Sequence, residues 1–153
     1  MDALTRIVEE RAIEQIYIRY CELIDSKDFD RLDEVFTDDT RGDYSQALGD
    51  GVVTEGLAML IGAMHANLGA RSSCGATHHN VTNFRITVEG ATSARARVHY
   101  IAAHCGTGAH QGADYTMWGE YDDRLVRTAS GWRVRDRIYT CSVRQGDPAI
   151  VSG

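Results

Sequence analysis

Residues 76–88 read ATHHNVTNFRITV, and the way this run is counted decides where the fold puts its chemistry. Phe84, Ile86 and Val88 recur at every second position, the alternation of a strand with one face on a core. Successive side chains on a strand point to opposite faces, so counting back in twos places His78 on the core face and His79 on the other. One extra residue between the histidines and Phe84 reverses that assignment. A β-bulge is such an insertion, and bulges concentrate in strongly curved sheets and beside active sites. Periodicity alone favours His78, and His79 enters the core only if a bulge lies between them.

Three more alternating runs follow, SARARVHYIAAHC (93–105), DYTMWGEYDDRLV (114–126) and GWRVRDRIYTCSVR (131–144), separated by glycine-containing turns. Together with 76–88 they predict four strands of an antiparallel sheet. In the first of them Ala94, Ala96, Val98, Tyr100, Ala102 and His104 share the apolar face, so His104 points inward beside small residues that leave space. In the last, Asp136 falls on the face of Trp132, Val134 and Ile138, with Arg133, Arg135 and Arg137 outward. An acid on an apolar face signals a buried ion pair, a local bulge or catalysis.

Upstream the period changes. Ile13, Ile16, Tyr17, Tyr20 and Ile24 have the spacing of one helical face, and Asp25 closes that helix at the edge of its apolar stripe. DFDRLDEVF (28–36) predicts a second short helix capped by Ser26 or Asp28, residues 40–54 a short hairpin, and EGLAMLIGAMHANL (55–68) a third helix. Helices first and a curved sheet afterwards make an α+β domain.

The chain has 153 residues, the length of a single domain with room for a pocket in its core. Its net charge is −6, with 14 acidic against 6 basic residues in positions 1–50 and no basic run anywhere. That excludes nucleic acid and an anionic membrane as expected partners. MDALTRIVEERAIEQ lacks the apolar core of a signal peptide and no segment approaches ~20 apolar residues, so the expected location is cytoplasmic. Cys21, Cys74, Cys105 and Cys141 show no metal-site spacing and read as buried free thiols.

The run IDSKDFDRLDEVFTDDTRGDY (24–44), the THH at 77–79, VHYIAAHC (98–105) and the late Gly131-Trp132 together resemble scytalone dehydratase. That family lies within the nuclear transport factor 2-like (SnoaL-like) superfamily of cone-shaped, cystatin-like α+β domains, and the similarity covers roughly residues 10–145. The resemblance implies one SnoaL-like domain over 1–153 and a catalytic set of Asp25, Tyr44, His79 and His104. It therefore selects His79 over His78 and requires the bulge. It implies substrate contacts from Tyr20, Ile24, Tyr100 and Trp118, with Tyr20 replacing a family tyrosine that is Ile24 here. It implies no metal and no cofactor, a small hydrophobic hydroxy-carbonyl substrate losing water by general base catalysis, and a homodimer or homotrimer. An isomerase, polyketide cyclase or dehydrohalogenase with the same pair, or a non-catalytic ligand-binding or accessory subunit, remain alternatives, because a fold does not fix a function.

Overall fold

Six strands, in the order β2-β1-β6-β5-β4-β3, make the frame on which the helices pack. The protein is seen here as a computed structural model that describes residues 1–152. The strands are β1 (Phe36–Asp43), β2 (Val53–Glu55), β3 (Cys74–Val88), β4 (Ser93–Gly106), β5 (Asp114–Thr128) and β6 (Gly131–Gly146). β1 runs parallel to β6 and every other neighbouring pair is antiparallel, so the sheet is mixed. This is the expected α+β class.

The first helix, α1 (Ala3–Asp25), is capped by Asp2, whose carboxylate accepts the Thr5 N–H at 3.0 Å. It buries Ile13, Tyr17, Tyr20 and Ile24 and packs against β3. Its first two turns carry the reverse pattern: Leu4, Ile7 and Val8 face solvent, while Glu9 accepts hydrogen bonds from the Trp132 indole and from Arg127. The expected second helix is a tighter 3-10 turn over Phe29–Glu34, in which Phe29 and Leu32 are buried. Asp28 precedes it without a side-chain cap, and the Ser26 hydroxyl bonds back to the Leu23 carbonyl instead. The predicted 40–54 hairpin forms as β1 and β2, with a short helix α2 (Ser45–Leu48) in its connection. The third helix is α3 (Leu57–Leu68).

Two irregularities set which side chains enter the core. On β3, Thr82 faces His99 and Arg85 faces Arg97, so Asn83 and Phe84 share the one position opposite Val98. Asn83 sits at φ 53°, the left-handed region that asparagine tolerates better than most residues. The extra residue turns His79 inward, opposite Ala102, and leaves His78 exposed. The parity reading of His78 is thereby corrected, for the reason that makes parity fail.

A second slip occurs on β6, where Val134 faces Leu125 and Asp136 faces Arg124, leaving Arg135 over. Asp136 is thus turned outward, its carboxylate accepting from Arg135 at 3.2 Å, and Arg137 is turned inward and is 1% exposed. The expected outward row of three arginines therefore loses its last member. The thiol reading is corrected too: all four cysteines are free, Cys21 and Cys74 are buried, but Cys105 is exposed.

Candidate active site

Asp25 ends α1 directly over the first half of β3. The chain reverses there through Lys27, at φ 59°, whose ammonium donates to the carbonyls of Leu68 and Cys74 and so ties the turn to the start of β3. The Asp25 carboxylate collects three hydrogen bonds from β3. Oδ1 accepts from the Thr77 hydroxyl at 2.9 Å and lies 2.7 Å from His79 Nδ1, and Oδ2 accepts the His79 backbone N–H at 2.9 Å. Burial alone would raise the Asp25 pKa. The His79 and Thr77 hydrogen bonds outweigh it and hold the carboxyl below its ordinary value, so it is ionised at neutral pH.

An ionised carboxylate only accepts, so in a neutral His79 ring the proton is on Nδ1 and Nε2 is the acceptor. Nε2 is on the opposite edge of a ring that lines a cavity. The His79 side chain is only 5% exposed. Tyr20 and His104 stand edge-on to its ring, with centroids 6.3 and 5.7 Å away.

His104 is fixed differently. Its Nδ1 lies 2.9 Å from the Tyr115 carbonyl oxygen, so Nδ1 carries the proton and Nε2 is an acceptor. Burial pushes its pKa down to about 4, and the ring is neutral at physiological pH. Tyr44 follows β1, lies across Gly42 and packs on Tyr139 with centroids 5.3 Å apart. Its buried hydroxyl has no hydrogen-bond partner among the described residues.

Tyr20, Tyr44, His79 and His104 all line one cavity, together with apolar residues from α3 such as Leu60 and Met64. No Asp, Glu, Lys or Arg side chain is in that lining. Asp25 stands behind His79 rather than in the wall. Three residues expected as substrate contacts lie outside the lining of this cavity. Ile24 is fully buried in the core. Tyr100 stacks between Tyr121 and Tyr139 at 4.7 and 4.8 Å and donates its hydroxyl to the Thr140 carbonyl at 2.8 Å, beneath the cavity rather than in its wall. Trp118 alternates with the inward Tyr115, Met117 and Tyr121 of β5 and so faces the outer side of the sheet.

Met117, Tyr139 and Thr54 line the cavity and were not expected there. The parity of β5, read from Tyr115 and Tyr121, contains the signal for Met117. Tyr139 was masked by the β6 bulge. Thr54 carried no signal at all. The wall also includes Val151, from a closing 3-10 turn over Pro148–Val151 that buries Ile150. Among the described residues no cluster of three or more His, Cys, Asp or Glu is arranged to hold a metal ion, and no helix is long and apolar enough to cross a membrane.

A model of the SnoaL-like domain matches residues 5–138. The chain belongs to the SnoaL-like family. An uncharacterized protein of Mycobacterium tuberculosis is 32% identical over 146 residues, covering 92% of this chain and 90% of its own. Among solved structures, a Novosphingobium aromaticivorans protein provisionally called a scytalone dehydratase superposes with a TM-score of 0.83 at 22% identity, over 94% of this chain and 91% of that one. A hexachlorocyclohexane dehydrochlorinase of Novosphingobium barchaimii gives 0.77 at 14%, over 96% and 95%. At such identities these two show that the SnoaL-like fold is shared, and nothing finer.

Proposed function

We propose that this SnoaL-like protein is a cofactor-independent lyase, a dehydratase that removes water from a small, hydrophobic hydroxy-carbonyl compound. The observation that carries the reading is the Asp25–His79 pair, with Nδ1 held by the carboxylate and the ring lining a cavity that has no charged side chain among the described residues. A neutral imidazole so placed is a general base near neutral pH. Nε2 takes the proton from the carbon next to the substrate carbonyl. Asp25 stabilises the imidazolium that results, and the Tyr44 hydroxyl donates to the carbonyl oxygen as charge builds on it. The electron pair then closes a carbon–carbon double bond and expels the hydroxyl on the neighbouring carbon.

That hydroxyl leaves as water after taking back the proton from His79 Nε2. His104 is neutral and presents an acceptor, so its part is to receive the hydrogen bond of the departing hydroxyl and orient it. The names borne by two proteins of the same fold, one provisionally a dehydratase and one a dehydrochlorinase, support a lyase reading. An isomerase or cyclase would begin with the same proton abstraction and differ only in the fate of the enolate.

The test is a panel of β-hydroxy ketones incubated with the parent and with His79→Gln, with loss of water read by mass spectrometry. Turnover by the parent that falls ~10²-fold or more in the variant is expected. Parental turnover by His79→Gln would end this reading. We propose also that the protein assembles as a homodimer or homotrimer through the outer sheet face, where Ile101, Trp118 and Val143 sit opposite one another on β4, β5 and β6. Light scattering at micromolar concentration checks this; a monomer alone would remove it.

A further inference from the structure

Five buried side-chain polar atoms lack a hydrogen-bond partner among the described residues: Thr37 Oγ1, Tyr44 Oη, Thr54 Oγ1, Tyr121 Oη and Arg137 Nη1. Only those of Tyr44 and Thr54 belong to residues lining the cavity of His79. An unpaired hydroxyl shut away from water is costly to the empty protein, and two of them in one cavity call for a partner that the described residues do not supply.

The two are brought together by Gly42. Gly42 on β1 pairs with Thr54 on β2, and Tyr44 follows two residues later. A Cβ built on Gly42 would fall 2.5 Å from Tyr44 Cε2, 3.1 Å from Tyr44 Cζ and 2.8 Å from Thr54 Oγ1. The phenol ring and the threonine hydroxyl therefore both occupy the space that a side chain at Gly42 would need. Any side chain at 42 has to push one or both away.

We propose that the Tyr44 and Thr54 hydroxyls form a two-donor corner for the carbonyl oxygen of an uncharged ketone, and that Gly42 is the positioning residue that makes the corner possible. The proposal rests on the reading of this cavity as the site of proton abstraction. Both hydroxyls can donate, and burial holds the Tyr44 phenol well above its ordinary pKa, so it keeps its proton. The corner is closed to water in the empty cavity. A ligand oxygen has to enter past the wall to reach it, and Leu48 and Val52, at 48% and 37% exposure, are the exposed residues of that wall. In such a dry site two fixed donors stabilise growing negative charge more than they would in water. The absence of any cation in the lining argues the ligand's charge: a carboxylate or phosphate would enter without a counterion and near ionised Asp25.

The test compares 1-indanone with indane, which has the same shape without the oxygen, by ligand-observed NMR titration. The parent should bind indanone at least about tenfold more tightly than indane. Thr54→Val and Tyr44→Phe should each cut that preference at least threefold with indane affinity unchanged, and Thr54→Ser should restore it. Gly42→Ala should lower the preference as well, since its methyl displaces the ring. The preference is read from binding alone, which separates this proposal from the base reading, whose test is turnover. No preference in the parent, or a preference untouched by Thr54→Val and Tyr44→Phe, would overturn the corner even if His79→Gln proved inactive.

Discussion

Two acid–base pairs lie beside the Tyr20 ring, and they are built to opposite ends. His79, held by Asp25, stands perpendicular to it with centroids 6.3 Å apart, while the Arg137 guanidinium lies over its face at 4.7 Å. Arg137 gives its Nε and Nη2 to Asp123 at 3.0 and 2.8 Å, and Tyr17 donates its hydroxyl to the same carboxylate at 2.9 Å. Asp123 and Arg137 are 0% and 1% exposed and sandwiched by Tyr121 and Phe36, so this pair has no way to meet a ligand. The first pair keeps one ring nitrogen on a cavity. A charge pair shut wholly inside the core fixes the fold even with Arg137 Nη1 unpaired, and one whose ring lines a cavity is available for chemistry.

The comparison breaks first at Arg137. Removing one member of a buried pair leaves an uncompensated charge, typically at a cost of about 3–5 kcal/mol. Arg137→Ala should therefore lower unfolding stability by about that much in urea titrations, whereas replacing Arg137 with Met and Asp123 with Leu together should cost far less. A loss from Arg137→Ala under about 1 kcal/mol would mean that the pair does not organise the core.

Asp25→Asn should behave in the opposite way, with a loss of turnover of ~10²-fold, about 2.7 kcal/mol of barrier, and only a small change in stability. Asparagine keeps the shape but can offer an N–H to Nδ1, which moves the ring proton to Nε2 and removes the base. The stability sign follows from the depressed Asp25 pKa: its ionised form favours the fold above the unfolded carboxylate pKa, and that gain disappears as pH falls through the lower folded value. The Asn variant should thus be slightly less stable than the parent at pH 7 and equal to it in strong acid. Equal turnover in parent and variant would put the two pairs back in one class.

His104 gives the next effect. Its folded pKa of about 4 lies below the ordinary 6.5, so the unfolded chain binds the extra proton first. Stability should be fully present above pH 6.5 and fall as pH drops from there toward 4, by up to about 1.4 kcal/mol per pH unit. His104→Gln should flatten the slope in that window. An unchanged slope would place the buried proton elsewhere.

Much of this was legible beforehand. The 3.6-residue stripe of α1, the alternation of β4 and the motif around Asp25 give the fold and its helix-to-sheet contact without coordinates. What parity could not supply were the bulges at Asn83 and Arg135, because an insertion leaves no mark in a count of apolar residues. The resemblance rescued His79, where a motif was available. It offered nothing at Arg137, where Asp136 drew attention and the inward arginine was read as outward. Trp118 falls outside the lining for a plainer reason: the resemblance implies a contact there, yet Tyr115 and Tyr121 on the same strand already fix which face is inner.

The bulge on β3 is itself open to the smallest of these tests. Asn83 at φ 53° is where the extra residue is absorbed, and its amide reaches His99 Nδ1 at 3.0 Å on the exposed face. A β-branched residue there would hold a strained backbone, costing about 1–2 kcal/mol, while glycine relieves the strain and loses only the amide contact. Asn83→Val should lower stability by that amount in urea unfolding and Asn83→Gly by less. The functional consequence is sharper than the energetic one. If the valine is accommodated by slipping the strand one residue, His78 replaces His79 on the inner face and turnover disappears with the fold still present. If the bulge persists under strain, turnover survives in proportion to the folded fraction. Asn83→Val more stable than Asn83→Gly would show that residue 83 does not carry the irregularity on which the placement of His79 depends.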